Sequence, residues 1–255
     1  MDYEKLRKNI ENELSQAQKD IDAWDENYIT IRILKLVKAA CTHSKESFNL
    51  EILSKKQKGK AEKKFGDIAV LVRYIEKGEI KIEGVGFIEA KRSYSDNREN
   101  YSKLDAKKFD VFLENTCHSF YCFYSKKRNN IPILSTAYLQ QLSNNAKKKT
   151  ESFGDNDLFS KNFPEEISQQ LKRFINFYDL DYGKTAIDIV LGRDSREFVP
   201  ENIILVEHNK TSSDDTTFKG LNMEIYEVSK EKTIIENLFM QEADSEDDDN
   251  LISHF

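Results

Sequence analysis

One pattern constrains this chain more than any other: an acid, then a Glu-x-Lys step, both carried on segments that read as β-strands. Asp67 opens the apolar, β-branched run DIAVLVR at 67–73. Glu89 and Lys91 close a second run over 80–91, which alternates through Ile80 and Ile82 and continues with Val85, Phe87 and Ile88. Successive side chains of a strand point to opposite faces, so Glu89 and Lys91 share a face, roughly 6.8 Å apart along the chain, and Ala90 points the other way. EKGE, containing Gly78, joins the two runs as a hairpin. Antiparallel neighbours lie about 4.8 Å apart, which lets Asp67 reach the Glu89 face. Two carboxylates beside one lysine can hold a divalent cation and handle a proton or a developing charge. The competing reading is a surface hairpin whose charges are merely solvated. It fits poorly with ionised residues closing the most apolar strand of the chain.

The flanking periodicities supply the framework. Residues 3–22 predict an amphipathic helix, with Leu6, Ile10, Leu14, Ala17 and Ile21 at spacings of three and four. A second helix is predicted over 26–41, with Asp25 as its N-cap. Residues 47–53 alternate as a first strand, and the lysine-rich 55–64 turns into the second. After the Glu-x-Lys strand, 93–103 reads as a polar loop and Leu104–Leu113 as a helix. The unbroken aromatic run His118–Tyr124 reads as a strand covered on both faces, and Ile131–Thr136 as a further strand. Helix, three strands, helix, strand, strand is an α/β order, with helices on both faces of a mixed sheet and a right-handed crossover between the third and fourth strands. Further along, 147–157 reads as a loop and Pro164–Tyr178 as a helix with Pro in its first turn. Ala186–Leu191, Asn202–Val206 and Met223–Val228 read as strands, and Ile234–Met240 as a short helix.

In this order of elements, Asp67 with Glu89-Ala90-Lys91 resembles the PD-(D/E)xK, or restriction-endonuclease-like, nuclease superfamily, over about residues 20–140. WDENYITIRILKLVKAA is similar to the family's first core helix, and KLDAKKFDVFLENTCHSFYCFYS to its later helix and buried strand. One departure is Gly66, where the family pattern carries Pro; FGDIAV is similar to a subset of members, many of them effectors of bacterial anti-phage systems. The resemblance implies a restriction-endonuclease-like core in αβββαβ order. It also implies a metal-dependent (endo)deoxyribonuclease with Asp67, Glu89 and Lys91 as catalytic residues, joined by Glu26. Asp67, Glu89 and the Ala90 carbonyl would ligate Mg²⁺, with Mn²⁺ as a substitute. Glu26 is equally a first-turn acid favoured by the helix dipole, and Glu62 is a further candidate for the metal site.

Charge enters where a nucleic-acid partner must be judged. The net charge of −6 argues against one, but six of the 45 acids fall in 241–255; without them 39 remain, matching the 39 Lys and Arg. Lys55, Lys56, Lys58, Lys60, Lys63 and Lys64 precede Asp67, Arg92 follows Lys91, and Lys107 and Lys108 lie on the next helix. Of these, Lys60, Lys63, Lys64, Arg92, Lys107 and Lys108 are the expected phosphate contacts. Tyr94 and Tyr101 are either base-stacking residues or ordinary loop aromatics. The 241–255 tail is expected to be disordered.

Residues 1–240 thus read as one nuclease domain, with 141–240 as elaboration on the core. Scattered histidines, and cysteines without a C-x-x-C pair, argue against a zinc site. The charged N-terminus and the lack of a long apolar run predict a cytoplasmic protein with no membrane partner. The expected function is hydrolysis of DNA phosphodiesters in anti-phage defence or restriction, by a homodimer or a subunit of a larger defence complex. The alternatives are a non-catalytic scaffold subunit of such a complex, or an RNA- or junction-directed nuclease.

Overall fold

The computed structural model describes residues 1–20, 23–42, 48–54, 66–94, 100–116, 118–145, 150–159, 164–191, 193 and 202–210. Apolar alternation on both sides of the central strands dictates the layering. In β2 (Ile68–Glu76), Ile68, Val70, Val72 and Tyr74 join one core, and Ala69 and Leu71 the other. β3 (Glu79–Arg92) repeats this, with Ile82, Ile88 and Ala90 on the first face and Val85 and Phe87 on the second. Strands buried on both faces need cover on both.

The first face is covered by α1 (Tyr3–Ala17), α2 (Glu26–Thr42) and α6 (Ile167–Ile175). α1 buries Leu6, Ile10, Leu14 and Ala17 of the predicted stripe but ends at Ala17, short of the expected 22, and Ile21 lies outside the described residues. α2 is capped as expected, the Asn27 and Tyr28 amides donating to Asp25 Oδ1 at 3.0 and 3.1 Å. The second face is covered by α3 (Ala106–Asn115), α4 (Thr136–Asn145) and α7 (Lys184–Val190), beside the short α5 (Asp155–Phe159).

The sheet is open, mixed and seven-stranded. Its other members are β1 (Phe48–Ser54), β5 (Ser119–Tyr124), β6 (Pro132–Ser135), β8 (Glu165–Glu166) and β9 (Asn202–Lys210), in the order β1-β9-β2-β3-β5-β6-β8. β2 and β3 form the predicted antiparallel hairpin, and β3 runs parallel to β5. β9 lies between β1 and β2, antiparallel to the first and parallel to the second, so the expected core of 20–140 is completed by a strand from the region read as elaboration.

Other expectations are corrected. Ala186–Leu191 reads as a strand because its β-branched residues favour one, but it lies in α7, where Ala186, Ile187, Ile189 and Val190 cover the sheet; packing overrides a weak local preference. Pro164 does not open a helix: it precedes β8, which pairs with β6, and α6 begins at Ile167. Both expected loops carry strand. β4 (Asn100–Asp105) pairs with β7 (Thr150–Gly154) as a separate two-stranded sheet, held by burial of Tyr101, Leu104 and Phe153. The segments 223–228 and 234–240, the acidic tail, and Lys60, Glu62, Lys63 and Lys64 lie outside the described residues. Among the described residues no helix is long and apolar enough to cross a membrane.

Candidate functional site

β2 and β3 pair with Ile68 opposite Ile88, so Asp67 and Glu89 each stand one residue beyond the last pair of the ladder. The Asp67 amide donates to the Ile88 carbonyl at 3.0 Å, and Asp67 Oδ2 accepts the Ala90 amide at 2.8 Å. Gly66 makes this crossing possible. Its φ is +79°, and a Cβ there would stand 2.6 Å from the Ile88 oxygen. A proline, with φ locked near −65°, could not occupy this position. Glycine at this position is thus a requirement of the local backbone.

Glu89 is 2% exposed. Its Oε1 receives two ammonium groups, Lys91 Nζ at 2.6 Å and Lys108 Nζ at 2.5 Å, while its buried Oε2 has no hydrogen-bond partner. Lys91 Nζ also donates to the Ala90 carbonyl at 2.8 Å and lies 3.5 Å from Glu26 Oε1. The Lys91 ammonium therefore stands among the groups expected to ligate a metal. Burial pushes the Glu89 carboxyl up, but Lys91 and Lys108 outweigh it and hold the group below the usual carboxylate range. Burial likewise pulls Lys91 down, and Glu89, Glu26 and Asp67 more than reverse this, holding it above the usual lysine value.

Glu26 arrives from the N-terminus of α2. The Trp24 indole donates to the Ser93 carbonyl at 3.1 Å, and Arg92 Nη1 donates to the Trp24 carbonyl at 2.8 Å. With the helix end fixed, Glu26 Oε2 accepts the Arg92 amide at 3.0 Å. Below it, the Thr30 and Tyr124 hydroxyls meet at 2.9 Å, tying α2 to β5.

The structure thus brings Asp67, Glu89, Ala90, Lys91 and Glu26 together from β3, the segment leading into β2, and α2. Lys108, expected on phosphate, contacts Glu89 instead. Arg92 packs its guanidinium 4.6 Å from the centre of the Tyr94 ring, which is 50% exposed; Lys107 is exposed on α3. Tyr101 is fully buried, edge-on to Phe123 and Phe159, and is a core residue rather than a stacking platform.

A basic turn of Lys126, Lys127 and Arg128 was not anticipated. It follows β5, whose Tyr124 pairs with Arg92, and the Lys126 amide donates to Ser93 Oγ at 3.2 Å. Its signal was a KKR run after the aromatic strand, and parallel pairing with β3 carries it to the site's end of the sheet.

Among the described residues no three His, Cys, Asp or Glu side chains are grouped so as to hold a metal ion. The donor types nevertheless suit a hard cation: the Asp67 and Glu89 carboxylates, the second with its Oε2 buried and without a partner among the described residues, and the Ala90 carbonyl. A cleft of about 340 Å³, lined by Phe120, Leu134, Tyr138, Gln170, Arg173 and Asp179 among others, includes none of these residues. Arg173 and Asp179 are paired within it at 2.5 Å. The chain matches no family model, no curated protein and no solved structure.

Proposed function

We propose that this chain is a metal-dependent nuclease with a restriction-endonuclease-like core, hydrolysing phosphodiester bonds in DNA. The observation that carries the reading is the Asp67 carboxylate on the Ala90 amide, beside Glu89, with the Lys91 ammonium 2.6 Å from a Glu89 carboxylate whose other oxygen is buried and without a partner among the described residues. An ionised carboxylate held out of water is costly unless it serves a partner, which argues against a merely solvated surface hairpin.

Asp67, Glu89 and the Ala90 carbonyl would hold Mg²⁺ or Mn²⁺, which would polarise the phosphoryl group and acidify an attacking water. Lys91, kept charged by its neighbours, donates to that water or to the developing negative charge on phosphorus. Glu26 positions Lys91 through their 3.5 Å contact. Arg92, Lys107 and the 126–128 turn supply positive charge around the site for the phosphate backbone. The resemblance extends the reading to a cytoplasmic effector of anti-phage defence or restriction, working as a homodimer or within a larger complex.

A second reading has its own observation. The two lysines saturate Glu89 Oε1, as a retired site would if the fold served as a scaffold subunit.

The test is cleavage of supercoiled plasmid, linear DNA and RNA with Mg²⁺, Mn²⁺ or EDTA, for wild type, Asp67→Ala and Lys91→Ala. Metal-dependent cleavage lost in both variants is the expected result, and the preferred substrate separates the DNA from the RNA reading. A wild type that shows no cleavage and no nucleic-acid binding would favour the scaffold.

A further inference from the structure

We propose that Lys108 is a resident counter-ion that holds the Glu89 carboxylate until a divalent cation displaces it, and so sets the metal affinity of the site. This rests on the nuclease reading for the identity of the ligand as a divalent cation.

Glu89 is 2% exposed, and a bare carboxylate there would be strongly disfavoured. Lys91 alone already meets Oε1, yet a second ammonium converges on the same oxygen from another element, α3. A divalent cation bound to Glu89 would face both ammoniums at a few ångströms, and the repulsion requires one of them to leave.

The two differ in what holds them. Lys91 is 13% exposed and has the Ala90 carbonyl and Glu26 as further partners. The Lys108 side chain is 23% exposed, with Glu89 as its one carboxylate partner among the described residues and the Phe112 ring 6.0 Å from its ammonium. It is mounted on a helix rather than on the site strand, and four rotatable bonds carry its charge to water. Lys108 is therefore the group that yields. Its departure frees one of the two contacts on Glu89 Oε1, Lys91 keeping the other, beside an Oε2 without a partner among the described residues, and so opens the carboxylate to a cation.

Calorimetric titration with MnCl₂ tests this on wild type, Lys108→Met, Lys108→Arg and Glu89→Gln. Lys108→Met should bind Mn²⁺ at least about tenfold more tightly, because a competing charge is gone. Lys108→Arg keeps the charge and should stay within about threefold of wild type, and Glu89→Gln should lose the site. Equal or weaker binding by a folded Lys108→Met, with wild-type binding intact, overturns the role of Lys108 and leaves the nuclease reading standing. No Mn²⁺ binding by any of the proteins overturns both.

Should Lys108→Met not fold, wild-type protein with ¹³C-labelled lysine gives the answer directly. Saturating Mg²⁺ should move the Lys108 Cε resonance to the position of solvent-exposed lysines. A resonance that stays in place overturns the proposal.

Discussion

Lys91→Met separates charge from bulk at the centre of the site. Methionine keeps an unbranched stem and removes only the ammonium 2.6 Å from Glu89 Oε1, 2.8 Å from the Ala90 carbonyl and 3.5 Å from Glu26 Oε1. Breaking a buried ion pair costs about 3–5 kcal/mol when the remaining charge is uncompensated. Glu89 keeps Lys108 at 2.5 Å, so the loss should be nearer that of one charged hydrogen bond, about 1.5–3 kcal/mol.

The pH dependence is specific. Glu89 is held below its ordinary value, so its contribution is present above about pH 4.3 and is lost as pH falls through the folded value. Lys91 is held above its ordinary value, so its contribution is complete below about pH 10.4 and is lost only as pH rises through the folded value. The stability gap between wild type and variant should therefore be constant from about pH 5 to about pH 10 and shrink below about pH 4. Urea denaturation across that range, read as midpoint shifts at constant slope, measures it. A gap that stays at its neutral-pH size when the pH is taken below about 4 would refute the ion-pair account. On the proposed nuclease reading, cleavage should fall by about 100-fold or more in the same variant, because Lys91 would face the developing charge.

Gly66→Ala forces a side chain into a left-handed backbone, its Cβ 2.6 Å from the Ile88 oxygen. We expect a loss of at least about 1–2 kcal/mol by thermal or urea unfolding, with weakened metal binding as the Asp67–Glu89 crossing opens. Arg73 is 1% exposed and joins Glu83 at 2.6 Å and Glu207 at 3.8 Å across β2, β3 and β9. Arg73→Met leaves two buried carboxylates and should cost about 3–5 kcal/mol, whereas replacing all three residues by apolar ones should recover most of it; a stable single variant would contradict the pairing. Tyr94→Ala should weaken binding of single-stranded oligonucleotides in EDTA by about 1–3 kcal/mol, with little effect on stability, in a fluorescence anisotropy titration. Unchanged affinity would exclude Tyr94 from the binding face.

The local pattern made much of the site legible. Strand periodicity alone places Glu89 and Lys91 on one face, and the EKGE hairpin brings Asp67 to them. The stripe of α1, the Asp25 cap and the doubly covered aromatic strand were readable too, because each is a regularity of a few neighbouring residues.

Three features could be settled only by tertiary structure. β9 enters between β1 and β2, although its sequence is simply another apolar strand; alternation says which way side chains face, not which strand lies alongside, and loop closure disfavours distant partners only weakly. Packing likewise made α7 of a strand-like run and sorted two tyrosines seven positions apart, burying Tyr101 and leaving Tyr94 exposed. Lys108 and Glu26 meet the Glu-x-Lys strand from opposite faces of the sheet, 19 and 66 positions along the chain from the groups they touch. Periodicity encodes the facing of each element; the company each charge keeps is set by how the layers close over it.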